Sequence, residues 1–306
     1  MKKLLLFLVF LSLGYTASAE EKFITTSDGV ELFVKIEGTG IPCLYIHGGP
    51  GSGSYWFEKF FGDFMEEHFT MIYLDQRGVG RSGSSENGDY SMQRLTQDFE
   101  EVRESLGIKN WLTLGHSFGG LLQMGYAENY PQAQNGMMMI NATLHLNESF
   151  CQSWAPKASE FLGENYVGCK NDTLPLMERM GVLGNKLREK DLFWKMAYAN
   201  KENQAIMDST WNEVENWNFD LGNKVWAYED YWRNFKPNTK EVSIPVLFFY
   251  GTKDYMVGPD HYKEVQFPDM ILWKSEVGHI PFQENTEDLK KAILFYKNQL
   301  SVLNHN

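Results

Sequence analysis

Apolar and polar positions change their rhythm several times along the 306 residues. KFITTSDGVELFVKIEG, from Lys22, alternates around Asp28-Gly29, the period-two pattern of two strands joined by a tight turn. PCLYIHGG, FTMIYLDQRG and NWLTLGHS are instead almost continuously apolar, as strands buried on both faces are. Helical stretches follow the second and third. In MQRLTQDFEEVRESLGI, Leu95, Phe99, Val102 and Leu106 fall four, three and four apart, on one helical face. Another apolar run, MMMINATL, precedes a change of character. From about His145 to Lys240 the chain reads mostly helical and holds six of the nine tryptophans, a marked local enrichment in aromatics. Strand patterning resumes in IPVLFFYGTKD, a short helix is expected near DHYKEV, and MILWKSEVGH reads as a strand before a closing helix in TEDLKKAILFYKNQL. Such an order defines an α/β domain whose mostly parallel sheet is covered on both sides, with the middle inserted into it. The expected division is 20–144 for the first part of the core, 145–240 for the insertion and 241–306 for the rest.

The start of the chain obeys a different pattern. Lys2 and Lys3 precede an apolar stretch, and Ala17-Ser18-Ala19 supplies small residues for cleavage, so 1–19 reads as a secretory signal peptide. The expected mature chain begins at Glu20 and is secreted or periplasmic. The apolar stretch is short for a membrane span, and no stable membrane insertion is expected after its removal. Net charge moves from −12 to −14 when the two leader lysines are gone, which argues against nucleic acid and anionic membrane surfaces as partners. Three cysteines are too few for a disulfide framework. Cys43 lies in an apolar run and reads as a small core residue, whereas Cys151 and Cys169 flank a loop-like stretch and either pair or stay free. Asn141-Ala142-Thr143, Asn147-Glu148-Ser149 and Asn171-Asp172-Thr173 fit the glycosylation pattern without settling the host.

The chemistry concentrates at WLTLGHSFGG. A strand that turns straight into a helix crowds its backbone, so Gly115 and Gly119, two residues either side of Ser117, let the turn close and hold the hydroxyl at its tip. The competing reading of Ser117 is a plain helix cap. A serine needs an imidazole to take its proton and a carboxylate to orient that imidazole. Asp254 follows the strand VLFFYG, 137 residues beyond Ser117, and His279 follows ILWKSEVG, 25 residues further. Loops after parallel strands emerge at one sheet edge, so the three can converge. Glycines after PCLYI leave backbone N–H groups for a developing oxyanion, with Gly49 and Phe118 the expected pair and Gly48 in reserve. His47 and His116 are expected to shape the pocket wall by hydrogen bonds, and His68, His145 and His305 to be surface or structural. Competing motifs are weaker: Gly78 to Gly83 matches G-x-G-x-x-G but runs on as loop, GGPGSGS lacks a phosphate-loop ending, and Glu66, Glu67 and His68 lack metal-ligand spacing. No metal is expected.

His47-Gly48-Gly49-Pro50-Gly51, Asp75-Gln76-Arg77-Gly78-Val79-Gly80-Arg81-Ser82, the serine turn, Asp254 and His279 together resemble the proline iminopeptidase group of α/β hydrolases. The resemblance implies an α/β-hydrolase fold with an eight-stranded sheet and an inserted helical cap. It also implies no cofactor, and release of an N-terminal residue, often proline, from short peptides. The elbow departs from the group's Gly-Gly-Ser-Trp-Gly, having His116 and Phe118 beside the serine. A carboxylesterase or related acyl hydrolase uses the same triad, and a non-catalytic binding protein on this fold is the third reading. An aminopeptidase must also recognise a protonated amine. Among the cap acids, Glu213 beside Trp211 and Glu229 beside Trp226 are the pair expected to converge on it, the competing reading being the solvated face of cap helices.

Overall fold

The computed structural model describes residues 19–171 and 174–303, so the expected leader, apart from Ala19, lies outside the described residues. β1 (Glu20–Thr25) and β2 (Glu31–Glu37) form the hairpin around Asp28-Gly29. Then follow β3 (Ile41–Ile46), α1 (Tyr55–Glu66), β4 (Phe69–Leu74), α2 (Met92–Ser105), β5 (Trp111–His116), α3 (Gly119–Asn129) and β6 (Gln134–Ile140). After the insertion come β7 (Val246–Gly251) and β8 (Met270–Ser275). The eight strands make one sheet in the order β1-β2-β4-β3-β5-β6-β7-β8, antiparallel across β1, β2 and β4 and parallel elsewhere.

Both sheet faces are covered, which accounts for the unbroken apolar runs. Leu44, Ile46, Ile72 and Leu74 point into the layer of α2 and α3, where Leu95, Phe99 and Val102 meet them. Their neighbours Cys43, Tyr45, Met71 and Tyr73 point to the other side, against Phe57 and Phe61 of α1 and Ile293 and Tyr296 of the closing helix. α1 was not anticipated from the pattern, although Trp56, Phe57, Phe61 and Met65 form its buried face. The expected helix near DHYKEV is absent. His261, Lys263 and Val265 make bonds to the third residue back, Glu264 has φ +68°, and the chain turns so that His261 is buried and Tyr262 stacks on Tyr250 at 4.3 Å. A continuous helix there would not carry both rings inward.

The insertion runs from α4 (Leu146–Glu148) through a π-helical turn, Ser149–Trp154, to α5 (Ala155–Leu162), α6 (Leu176–Glu189), α7 (Trp194–Ala197), α8 (Lys201–Ser209) and α9 (Asp220–Lys224). Three 3-10 turns bring it back at Glu241. It has a small core of its own, Trp154, Ala158, Leu162, Met180, Leu183, Leu187 and Met196. A Cys151–Cys169 disulfide ties the π-helical turn to the stretch before α6, while Cys43 is free and buried. The cap docks on the core through tryptophans: Trp56 of α1 stacks on Trp211 at 4.8 Å, and Trp217 Nε1 donates to the Gly51 carbonyl at 3.1 Å. The last elements among the described residues are α10 (Pro281–Glu284) and α11 (Thr286–Leu303). Among the described residues no helix is long and apolar enough to cross a membrane.

Candidate active site

Ser117 occupies the turn between β5 and α3 with φ +54°, a left-handed conformation that non-glycine residues rarely adopt. The glycines around it are there for space. A Cβ on Gly115 would lie 2.2 Å from Gln123 Oε1, and one on Gly119 would lie 2.2 Å from the Ile46 carbonyl oxygen. The Ile46 carbonyl is fixed backbone and holds position 119 to glycine, while a side chain at 115 would have to displace the buried Gln123 amide. Gly48 presses on the same turn: a Cβ there would meet Ser117 Cβ and the His116 carbonyl at 2.7 Å.

The sheet brings the other two residues to this edge. His279 Nε2 lies 2.9 Å from Ser117 Oγ, and its Nδ1 lies 2.9 Å from Asp254 Oδ2. Asp254 is buried, and its second oxygen accepts the N–H groups of Met256 at 2.9 Å and Val257 at 3.0 Å. With Asp254 acting only as an acceptor, Nδ1 carries the imidazole proton and Nε2 is left to accept from the serine hydroxyl. Such a chain can turn the hydroxyl into a nucleophile and return its proton to a leaving group. The Phe118 N–H stands at the amino end of α3, and the Gly49 N–H follows β3; neither has an acceptor among the described residues. Free N–H groups of this kind suit a developing negative oxygen. The Gly48 N–H is likewise unclaimed among the described residues, so the reserve candidate keeps its place.

The two glycine-rich motifs form one polar support beneath the site. The buried Asp75 accepts Ser54 N–H at 2.7 Å, Ser54 Oγ at 2.8 Å and Arg81 Nε at 2.7 Å. Burial works to raise its carboxyl, but Arg81 and the Ser54 N–H outweigh that and hold it below the ordinary aspartate range. His47 Nε2 accepts the Gln76 N–H at 3.1 Å, and burial pushes its value down to about 4, so this ring stays neutral and joins the two motifs. His116 is pushed down to about 3, by burial first and by the neighbouring His279 second. Its Nε2–H donates to the His279 carbonyl at 2.8 Å.

Glu213 and Glu229 are the cap acids expected at a substrate amine. Glu213 is exposed and already bound to α1, by the Tyr55 hydroxyl and by Lys59 Nζ at 2.7 Å. Glu229 is exposed on a 3-10 turn, and no contact joins it to Glu213 among the described residues. Stacking of Trp211 on Trp56 brings this segment against α1, where Glu213 meets Tyr55 and Lys59. Asn141 is buried and both ends of its amide are occupied, which removes it as a glycan acceptor, whereas Asn147 is exposed. Two further groups were not anticipated, Glu284 beside the histidine loop and Glu148 at the neck of the cap. A glutamate five residues past His279, in GHIPFQE, was the only signal for the first. Among the described residues no group of three or more His, Cys, Asp or Glu side chains is placed to hold a metal ion.

Residues 42–286 match the model of the alpha/beta hydrolase fold family, and the chain belongs to that family. Within it, the chain is similar to the proline iminopeptidase of Neisseria gonorrhoeae, at 38% identity over 101 residues, 33% of this chain and 32% of that one. It thus spans about a third of the length of the curated relatives it matches. Among solved structures, a proline iminopeptidase-related protein of Thermus thermophilus superposes with a TM-score of 0.76 at 19% identity, covering 92% of this chain and 98% of that one. An esterase from Exiguobacterium antarcticum gives 0.68 at 18% identity, covering 91% and 100%. At such identities the likeness is one of fold.

Proposed function

We propose that this chain is an exported serine hydrolase of the proline iminopeptidase type, which releases N-terminal residues from short peptides. The observation that carries the reading is the unbroken hydrogen-bond chain from Ser117 through His279 to Asp254, with Ser117 at positive φ. Ser117 Oγ attacks the scissile carbonyl while His279 Nε2 takes its proton. The Gly49 and Phe118 N–H groups receive the oxyanion, and His279 hands the proton to the departing amine. Water, activated by the same imidazole, then releases the acyl group. Asp254 holds the ring and stabilises its charged form.

The peptidase assignment is supported by the similarity to proline iminopeptidases over the glycine-rich motifs. A carboxylesterase reading is favoured by one observation, that Glu213 is already bound to Lys59 and Tyr55 and so is not offered to a substrate amine. Comparing kcat/KM on aminoacyl-arylamides, proline included, with short-chain arylesters separates the two. Ser117→Ala should lower kcat on the better substrate by about four orders of magnitude or more, since triad members act as a unit. Retained activity in that variant overturns the scheme. Export rests on the 1–19 leader pattern and is supported by the Cys151–Cys169 bridge, which suits an oxidising compartment. Mass spectrometry of the exported fraction should find Glu20 at the N-terminus.

A further inference from the structure

Every backbone polar group of Gly278 and His279 is held, each by a different residue. The Gly278 N–H donates to Glu284 Oε2 at 2.7 Å, and the Gly278 carbonyl accepts from Asn141 Nδ2 at 2.7 Å. The His279 N–H donates to the Ala197 carbonyl at 2.6 Å, and the His279 carbonyl accepts from His116. Two of these holders belong to the core: His116 ends β5, and Asn141, at φ +45°, also takes the N–H of Gly251 at the end of β7 at 2.8 Å. The other two lead to the cap. Ala197 ends α7, and the second oxygen of Glu284 accepts the Ala199 N–H at 2.5 Å. One residue earlier, the Met196 carbonyl accepts the N–H of Tyr255, next to Asp254, at 3.2 Å. A short cap segment, 196–199, therefore lies along the loops that carry both the acid and the base.

Among the described residues, Glu284 is the one side chain hydrogen-bonded to both segment 196–199 and the backbone beside His279. A carboxylate suits the place because its neighbours, the two backbone N–H groups and the Asn203 side-chain amide at 3.4 Å, are all donors and it has only acceptors. The fit is close, since a Cβ on Gly278 would fall 2.4 Å from the Ala197 carbonyl and 2.8 Å from Glu284 Oε2. We propose that Glu284 is a positioning residue that ties the seat of cap segment 196–199 to the backbone of His279, aligning the base with Ser117 when the cap is docked. The proposal rests on the reading of Ser117 and His279 as nucleophile and base.

Glu284→Gln tests it, because the amide keeps the shape but turns an NH2 toward one of the two N–H groups. Two acetate esters serve as probes, 4-nitrophenyl acetate, whose leaving group departs as a stable anion, and ethyl acetate, whose alkoxide needs a proton from His279. A displaced imidazole should lower kcat/KM, which reads acylation and not the deacylation that the two acetates share, about 100-fold for ethyl acetate and only about 10-fold for 4-nitrophenyl acetate. Loss through partial unfolding reduces both rates by one factor. Equal factors on the two esters, or parent-like rates, overturn the inference. If the Gln variant does not fold, Glu284→Asp, which keeps the charge but reaches one N–H group, is judged by the same ratio. Hydrolysis of these esters by the parent that survives Ser117→Ala sinks the underlying reading instead, and the inference with it.

Discussion

Cutting the ion pair at the neck of the cap should destabilise the protein by an amount that depends on pH. Glu148, ending α4, meets the Lys236 ammonium where the chain leaves the cap, and lies 3.2 Å from His261 Nδ1 and 3.6 Å from His145 Nδ1. The Lys236 and His261 side chains are each only 2% exposed, so neither can turn to water instead. His261 Nε2 accepts the Leu144 N–H at 2.8 Å, which leaves the proton on Nδ1, facing Glu148. Burial works to raise the Glu148 carboxyl; His145, His261 and Lys236 outweigh it and hold it well below the ordinary glutamate range. In Glu148→Gln the ammonium keeps its charge and its burial but loses its counter-ion. Breaking a buried pair from one side costs about 3–5 kcal/mol. At about 3 kcal/mol and a urea dependence of about 3 kcal/mol/M, the midpoint should fall by about 1 M.

The pH dependence has a definite sign. Because the folded-state value is depressed, the Glu148 contribution is complete above its unfolded value of 4.5 and is lost as pH falls below it. Each pH unit below that removes about 1.4 kcal/mol, so the gap between parent and variant should shrink from about 3 kcal/mol at pH 7 to about 1 kcal/mol at pH 3. Urea titrations followed by tryptophan fluorescence at the two pH values read both quantities. A midpoint shift below about 0.3 M at neutral pH, or a gap that stays constant on acidification, refutes the reasoning.

Two more expectations follow from the site and the cap. His279 must be neutral to act as base, while burial pushes His116 down to about 3 and His47 down to about 4; above about pH 5 the acid limb of kcat/KM should therefore follow a single ionisation, and a two-proton slope would contradict this. The Cys151–Cys169 bridge closes a loop with a sequence separation of 18, so Cys169→Ser should cost about 3 kcal/mol, and thiol counting on unfolded, unreduced protein should find one thiol rather than three.

What the sequence discloses depends on whether a residue's role restricts its type. Buried parallel strands need apolar side chains on both faces, and Cys43 to Ile46 or Phe69 to Leu74 read as strands for that reason. The elbow is visible because the Ile46 backbone leaves no room for a side chain at 119 and the Gln123 amide crowds 115. α1 is harder to see: its Trp and Phe residues have middling helix propensity, follow a glycine-rich loop, and run without a break into β4. The DHYKEV turns defeat pattern reading because two inward rings, His261 and Tyr262, override local preference there. The company of tryptophans points to Glu213 and Glu229, and nothing in one segment's sequence says which way docking turns its acid.

The residues around Gly278 and His279 mark the deeper limit. A nucleophile, a base and an orienting acid can be sought by type, because few side chains do each job. The groups that hold the base in place are the Ala197 carbonyl, which any residue could supply, and the side chains of Asn141, Glu284 and His116 aimed at backbone atoms. Their partners have no sequence identity, so no spacing rule announces them. Asn141 is instructive, since its sequence neighbours suggest a glycan acceptor while its position, between β6 and the cap, makes its amide a link from β7 to the histidine loop. Glu148 has the same character in charged form, with partners 88 and 113 residues away, one at the end of the cap and one in the core, that meet only in the folded chain. Chemistry at the tip of the elbow is thus written in residue types, whereas its alignment is written in topology, which only the folded chain displays.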